Sequence, residues 1–175
     1  MVTSEVRFSY LNAFTARAAQ EGQKPKFSVS LIIPKKNKVL VDKIKAAIEA
    51  AKEAGKAKLQ VNGKFPGNLK MPLRDGDVDR PGDDTYAGCY FINATSGQKP
   101  GIVDENREKI INENDIYSGC YGRADINFYA FNTSGNKGVA CGLNNIQKLR
   151  DGDPLSGRQS AESAFGENND DDDLM

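Results

Sequence analysis

The chain has 175 residues, 38% of them hydrophobic, and 17 glycines. It therefore reads as one turn-rich domain, large enough to bury about 70% of its unfolded surface without a disulfide or a metal. It contains no histidine, which removes Ser-His-Asp and Cys-His catalysis and histidine metal sites and argues against an enzyme, and no tryptophan, so any stacking surface must be built from Tyr and Phe. Its 24 cations and 24 acids cancel unevenly: residues 1–160 carry every cation against 18 acids, a net +6, and residues 161–175 carry −6.

No apolar run approaches the ~18 residues of a membrane span. The opening MVTSEVRFSY lacks the basic flank and apolar stretch of a secretory signal. Cys89, Cys120 and Cys141 are odd in number and widely spaced, as reduced thiols are, so a cytoplasmic location is expected.

In chain order, residues 5–11 alternate as a strand, with Val6, Phe8 and Tyr10 on one face and Arg7 and Ser9 on the other. Residues 26–34 repeat the pattern with Phe27, Val29, Leu31 and Ile33 inward, and Pro34 stops it. Leu40, Ile44, Ala47, Ile48 and Ala51 recur at helical spacing, which predicts a helix over 38–55 capped by Gly55, its lysines forming a solvated face. The segment 24–70 is the most basic, with 12 lysines against three acids. Asn62-Gly63, Pro66-Gly67, Asp75-Gly76 and Pro81-Gly82 mark 56–85 as loop. Strands are expected at 86–95 and 121–132, joined by a polar connection over 96–116. Ser134-Gly135-Asn136 turns into a last strand, 138–149, with a bend at Gly142. Five strands, one long helix and no βαβ repetition predict a mainly β fold, a small five-stranded barrel over residues 1–160. Residues 161–175 are expected to form a flexible acidic tail, disordered from Glu167 onward, where nothing can pack.

The strand 121–132 carries the most functional information. Gly122, Ala124, Ile126, Phe128 and Ala130 fit a barrel interior, which leaves Tyr121, Arg123, Asp125, Asn127, Tyr129 and Phe131 on the other face. Rings interleaved with Arg and Asn suit single-stranded nucleic acid, because rings stack on any base while cations hold phosphates. Strand 86–95 offers a similar split, with Tyr90 and Ile92 inward and Phe91 and Asn93 outward. The same rings could instead pack under the helix or the 56–85 loop as a second core, and the pattern alone leaves both readings open.

Other motifs carry no chemistry. DGDVD (75–79) has the acid spacing of a calcium loop, but Arg80 and Tyr86 replace the glycine and final glutamate that such a loop needs. No phosphate-binding glycine loop occurs, the cysteines lack metal spacing, and no cofactor is expected. The tail ends in Asp170, Asp171, Asp172 and Asp173 followed by Leu174 and Met175. An acidic run with an apolar end suits docking into a basic-rimmed pocket of a partner, and the same anion can occupy the protein's own cationic groove.

VRFSYLNAF, KFSVSLIIPK, AAIEAAKEAGKAK, LRDGD, YAGCYFINA, PGIVD and SGCYGRADINFYAFNTSGNKGVACGLNNIQKL, in this order, resemble a family of phage single-stranded-DNA-binding proteins formerly known only as a domain of unknown function. The resemblance covers nearly all of residues 4–165. It implies an OB-fold whose groove binds single-stranded DNA cooperatively and without sequence preference during phage DNA replication in the bacterial host. The ending DDDDLM is similar to the acidic tails of bacterial and phage single-stranded-DNA-binding proteins, but lacks the proline-phenylalanine end of the bacterial form.

Strand faces nominate Tyr121, Arg123, Tyr129 and Phe131, with Phe91 beside them, for stacking and charge. Arg7, Lys24, Lys26 and Lys137 flank strands or a turn and are nominated for phosphates. The expected partners are single-stranded DNA, duplex DNA more weakly, replication and recombination proteins through the tail, and a second copy of the chain, with no membrane. Two other functions stay open: a phage structural or assembly protein, and an RNA-binding cold-shock-like module.

Overall fold

In the computed structural model, which describes residues 1–18 and 20–155, the alternating apolar residues of five strands turn toward one interior. β1 (Val6–Arg17) and β2 (Lys26–Pro34) form an antiparallel pair. α1 (Lys38–Ala54) follows, capped by the Asn37 side chain, which accepts from the Leu40 amide, and continues into the short α2 (Lys56–Leu59). β3 (Leu73–Asp75) and α3 (Gly76–Asp79) lead to β4 (Cys89–Ser96), β5 (Gly101–Val103) and a 3-10 turn at Glu113–Asp115. β6 (Tyr121–Thr133) and β7 (Asn136–Arg150) make a long hairpin.

The sheet order is β3-β4-β2-β1-β6-β7-β5, and a parallel contact of Ala94 and Thr95 with Cys141 and Gly142 joins β4 to β7. That contact closes β1, β2, β4, β7 and β6 into a five-stranded ring of OB-like connectivity, with all neighbours antiparallel except β4 and β7. Phe8, Leu31, Ile33, Ile92, Ala124, Ile126 and Ile146 fill it and are each at most 1% exposed. The β6 alternation read from sequence holds, with Phe128 half-buried against this core. α1 buries Leu40, Val41, Ile44 and Ile48 against the same core.

Several boundaries differ from the sequence reading. β1 runs six residues past Leu11, because one extra residue between Ser9 and Asn12 resets the alternation rather than ending the strand. Tyr10, expected inward, is consequently 57% exposed. The expected bend at Gly142 lies just beyond it: Ile126 pairs with Leu143 and Asp125 with Asn145, so Asn144 is the extra residue. Gly55 ends α1 at φ −99°, so no left-handed cap requires it. Its glycine is required by close approach, since a Cβ there would lie 2.1 Å from that of Ala130. The segment 56–85, read as loop, contains α2, β3 and α3. The tail, including Asp170 to Met175, lies outside the described residues.

Candidate nucleic-acid interface

Three hollows follow β1 along the outside of the ring. The first, of about 450 Å³, is lined by Arg17, Gln23, Lys24, Lys26, Ser28 and Thr95. The second, of about 360 Å³, lies over Ser9, Tyr10 and Tyr86. The third, of about 380 Å³, opens beside Arg7, Tyr121 and Arg150. From Arg17 to Arg7 this track covers on the order of 30 Å at the usual strand rise. The β1–β2 loop and the outer face of the second and third ring strands are where OB-folds commonly take oligonucleotides.

Lys24 and Lys26, both nominated from the sequence, are exposed at the first hollow. The sequence reading missed Arg17, which joins them only because β1 extends past its bulge. Among the described residues none of these three forms an ion pair, so their charge faces the hollow uncompensated.

At the other end the nominated residues are held. Arg7 donates through Nε to the Gly119 carbonyl at 3.0 Å and through Nη2 to the Asp153 carbonyl at 2.8 Å. It thereby straps the segment after β7 across β1. The Tyr121 ring is faced by the Arg7 and Arg150 guanidiniums, 5.5 and 3.8 Å from its centroid. Arg150 also pairs with Glu5. Arg123 is exposed, but its Nε donates to the Thr3 carbonyl at 2.9 Å and so fixes the N-terminal segment against β6.

Phe91 requires a correction. It points outward, as its alternation demands, but it is only 5% exposed. With Ile32 and Tyr86 it forms a small apolar cluster outside the ring, its ring 5.1 Å from that of Tyr86 and edge-on at 82°. Tyr86, 2% exposed, in the turn that leads into β4, and Leu155, beyond β7, cover it, so Phe91 offers no open face for stacking.

The remaining nominees gather on the β6–β7 hairpin. Tyr129 is 44% exposed and sits opposite Ala140, whose methyl group leaves its ring open. Phe131, half-buried, pairs with Gly138, and Lys137 pairs with Asn132 beside the turn. The structure thus divides the nominated site into a basic hollow at the β1–β2 loop, a guanidinium-capped Tyr121, and an aromatic-basic hairpin.

The aspartates of the β3–α3 segment are occupied. Lys35 lies 2.7 Å from both Asp75 and Asp77, and its ammonium holds both carboxyls below the ordinary aspartate range. Arg74 engages Asp79 at 2.8 Å. The DGDVD carboxylates are therefore ion-pair partners. Burial, with Asp77 nearby, pushes the Cys89 thiol up, and burial drives Cys141 to about 12, so neither is a thiolate at neutral pH.

Comparison with known proteins decides the family. A model described as the ssDNA-binding protein of Enterobacter phage Enc34 matches residues 1–175. The chain belongs to that family. A p50 protein of Acyrthosiphon pisum secondary endosymbiont phage 1 is 32% identical over 137 residues, covering 75% of this chain and 73% of that one. The solved single-stranded DNA-binding protein from bacteriophage Enc34 in complex with ssDNA superimposes with a TM-score of 0.78 at 26% identity, over 89% of this chain and 88% of that one. Gp2.5, a single-stranded DNA binding protein encoded by bacteriophage T7, shares the fold with a TM-score of 0.62 at 13% identity, over 91% of this chain and 96% of that one. The family is thus one of phage ssDNA-binding proteins with an OB-like, mainly β fold, as the sequence resemblance implied.

Proposed function

We infer that this protein binds single-stranded DNA without sequence preference and coats it cooperatively during phage DNA replication and recombination. The reading is supported above all by the basic hollow at the β1–β2 loop, at the usual OB position, in a chain of the Enc34 ssDNA-binding family. Lys24, Lys26 and Arg17 neutralise phosphates, and the hairpin adds Lys137 with the rings of Tyr129 and Phe131. Binding is non-enzymatic.

The tail acts as a competitor and a docking segment. Leu155, packed with Ile32, Tyr86 and Phe91, starts residues 156–175 from the outer face that carries the three hollows. The six acids of 161–175 oppose the charge that DNA needs. The apolar end, Leu174 and Met175, suits capture by replication or recombination partners.

The test is fluorescence anisotropy of labelled oligo-dT at several salt concentrations. Tight binding with a log–log salt slope of about −0.7 per phosphate neutralised is expected. Removing 161–175 should tighten binding at low salt. Equal competition by RNA would move the reading to an RNA-binding module, and failure of both forms to bind would end the nucleic-acid reading.

A further inference from the structure

The geometry points to Tyr10 as a preset base-stacking platform at the centre of the outer face, backed by Arg80. This inference rests on the single-stranded DNA reading above and adds to it a site made by the β1 bulge and the 80–86 segment.

Three observations carry it. First, the backbone is bent to aim this ring. Ser9 pairs with Ser30 and Asn12 with Ser28, so β1 holds one residue more than β2 between those pairs. Tyr10 adopts φ +47°, a conformation that costs a bulky L-residue energy. The bulge is fixed by the Leu11 amide donating to Ser118 Oγ at 3.0 Å and by Asn12 Nδ2 donating to the Tyr10 carbonyl at 3.2 Å.

Second, Tyr10 itself gains little burial from that strain. The ring is 57% exposed in the middle of a 12-residue strand whose neighbours Phe8 and Ser9 are buried. Bulges that re-aim a side chain concentrate beside functional sites.

Third, the ring is backed by Arg80. Arg80 sits 5.0 Å from its centroid and donates through Nη2 to the Tyr10 hydroxyl. The same guanidinium lies 4.4 Å from the Tyr86 centroid and is steered by Asp83 at 3.4 Å. Tyr86 in turn donates to Ser30 Oγ at 3.3 Å and rests on Phe91. Phe91, Tyr86, Arg80 and Tyr10 thus form a column rising from the buried outer cluster to solvent, with Tyr10 at its end. A ring already held in place loses little rotamer freedom when a base stacks on it. It also lies on β1 between Arg17, at the first hollow, and Arg7, neither of which forms an ion pair among the described residues.

Tyr10→Asn separates this role from a structural one, because Asn tolerates positive φ and removes the ring. The expected result is a Tm equal to or above wild type, a 5- to 100-fold loss of oligo-dT affinity, and an unchanged salt slope. Tyr10→Phe, which keeps the ring, should bind within about threefold of wild type. If wild type binds and Tyr10→Asn binds equally well, or if its Tm falls by several degrees, the ring is not a platform and the inference is overturned. If wild type itself fails to bind, the single-stranded DNA reading has failed instead. Photocrosslinking of unaltered protein to oligonucleotides carrying 5-bromodeoxyuridine gives a check without a variant. A crosslinked peptide containing Tyr10 is expected, and crosslinks confined to the β6–β7 hairpin would overturn the inference.

Discussion

Among the aromatics outside the ring, those on β4 and on the β6–β7 hairpin are treated in opposite ways. Phe91 on β4, with Tyr86 and Ile32, is covered to 5% exposure or less. Tyr129 on the β6–β7 hairpin keeps 44% of its surface in water. Both are outward residues of alternating strands, and nothing in either strand distinguishes them. The difference comes from cover supplied outside the strand: Tyr86, in the turn just before β4, and Leu155, beyond β7, pack against Phe91, whereas the residue opposite Tyr129 is only Ala140. An outward aromatic therefore becomes core or surface according to what the rest of the chain lays over it.

The largest effects should fall on the covered side and inside the ring. Phe8→Ala, in the interior, should cost about 3–5 kcal/mol of stability. Phe91→Ala should cost about 3 kcal/mol or somewhat less, because a cluster near the surface can collapse around the missing ring. Urea denaturation of both, with a constant m-value, measures this. A Phe91→Ala protein as stable as wild type, with weaker DNA binding, would reverse the comparison and return Phe91 to the interface.

Tyr129→Ala should leave stability within about 0.5 kcal/mol of wild type and weaken oligo-dT binding by about 1–3 kcal/mol, with the salt slope unchanged. Unfolding in circular dichroism would show the hairpin ring to be core after all. Lys24→Gln and Lys26→Gln should act on the other term. Each should reduce the magnitude of the salt slope by about 0.7 per lost phosphate contact and weaken binding several-fold at low salt. A hairpin variant that changed the slope, or a loop variant that left it alone, would blur the division between stacking and charge.

What was legible in the sequence follows the range of the interactions. The β6 interior of Gly122, Ala124, Ile126 and Ala130 follows from alternation alone, and α1 from the spacing of Leu40, Ile44 and Ile48. Gly122 also reports a three-dimensional fact, since a Cβ there would lie 2.1 Å from the Gln147 carbonyl oxygen and 2.7 Å from the Phe8 ring. Lys24, Lys26 and Tyr129 could be picked because exposure at a loop or hairpin needs no distant partner. Arg7 and Arg123 could not be judged, because the carbonyls they hold, on Gly119, Asp153 and Thr3, are more than 100 residues away. Tyr10 was misplaced for a local reason of another kind. A bulge breaks the two-residue period on which the strand reading depends.

The smallest effect concerns the ion pairs that anchor the covering segment. Lys35, at the end of β2, joins Asp75 and Asp77, and the Asp77 carboxylate also accepts from the Gly88 amide at 2.9 Å. Both carboxyls are held below their ordinary range, first by the hydrogen bond from Lys35. A carboxyl whose pKa is lower folded than unfolded adds stability above its unfolded pKa, near 4, and loses it as pH falls through the folded value. The Lys35 ammonium is shifted upward by the same bonds, so its share is complete at neutral pH and is lost only in strong alkali. Wild type should therefore exceed Lys35→Met in Tm by a constant small margin from pH 5 to 9, narrowing below pH 4. All three side chains reach water, which keeps that margin small and sensitive to salt. Because these bonds hold the segment that covers Phe91, the same variant should admit faster amide exchange at residues 83–88 while exchange in the hairpin at 127–133 stays as in wild type. Equal acceleration in both places would mean that the covered and open faces loosen together, and the contrast between them would not rest on this anchor.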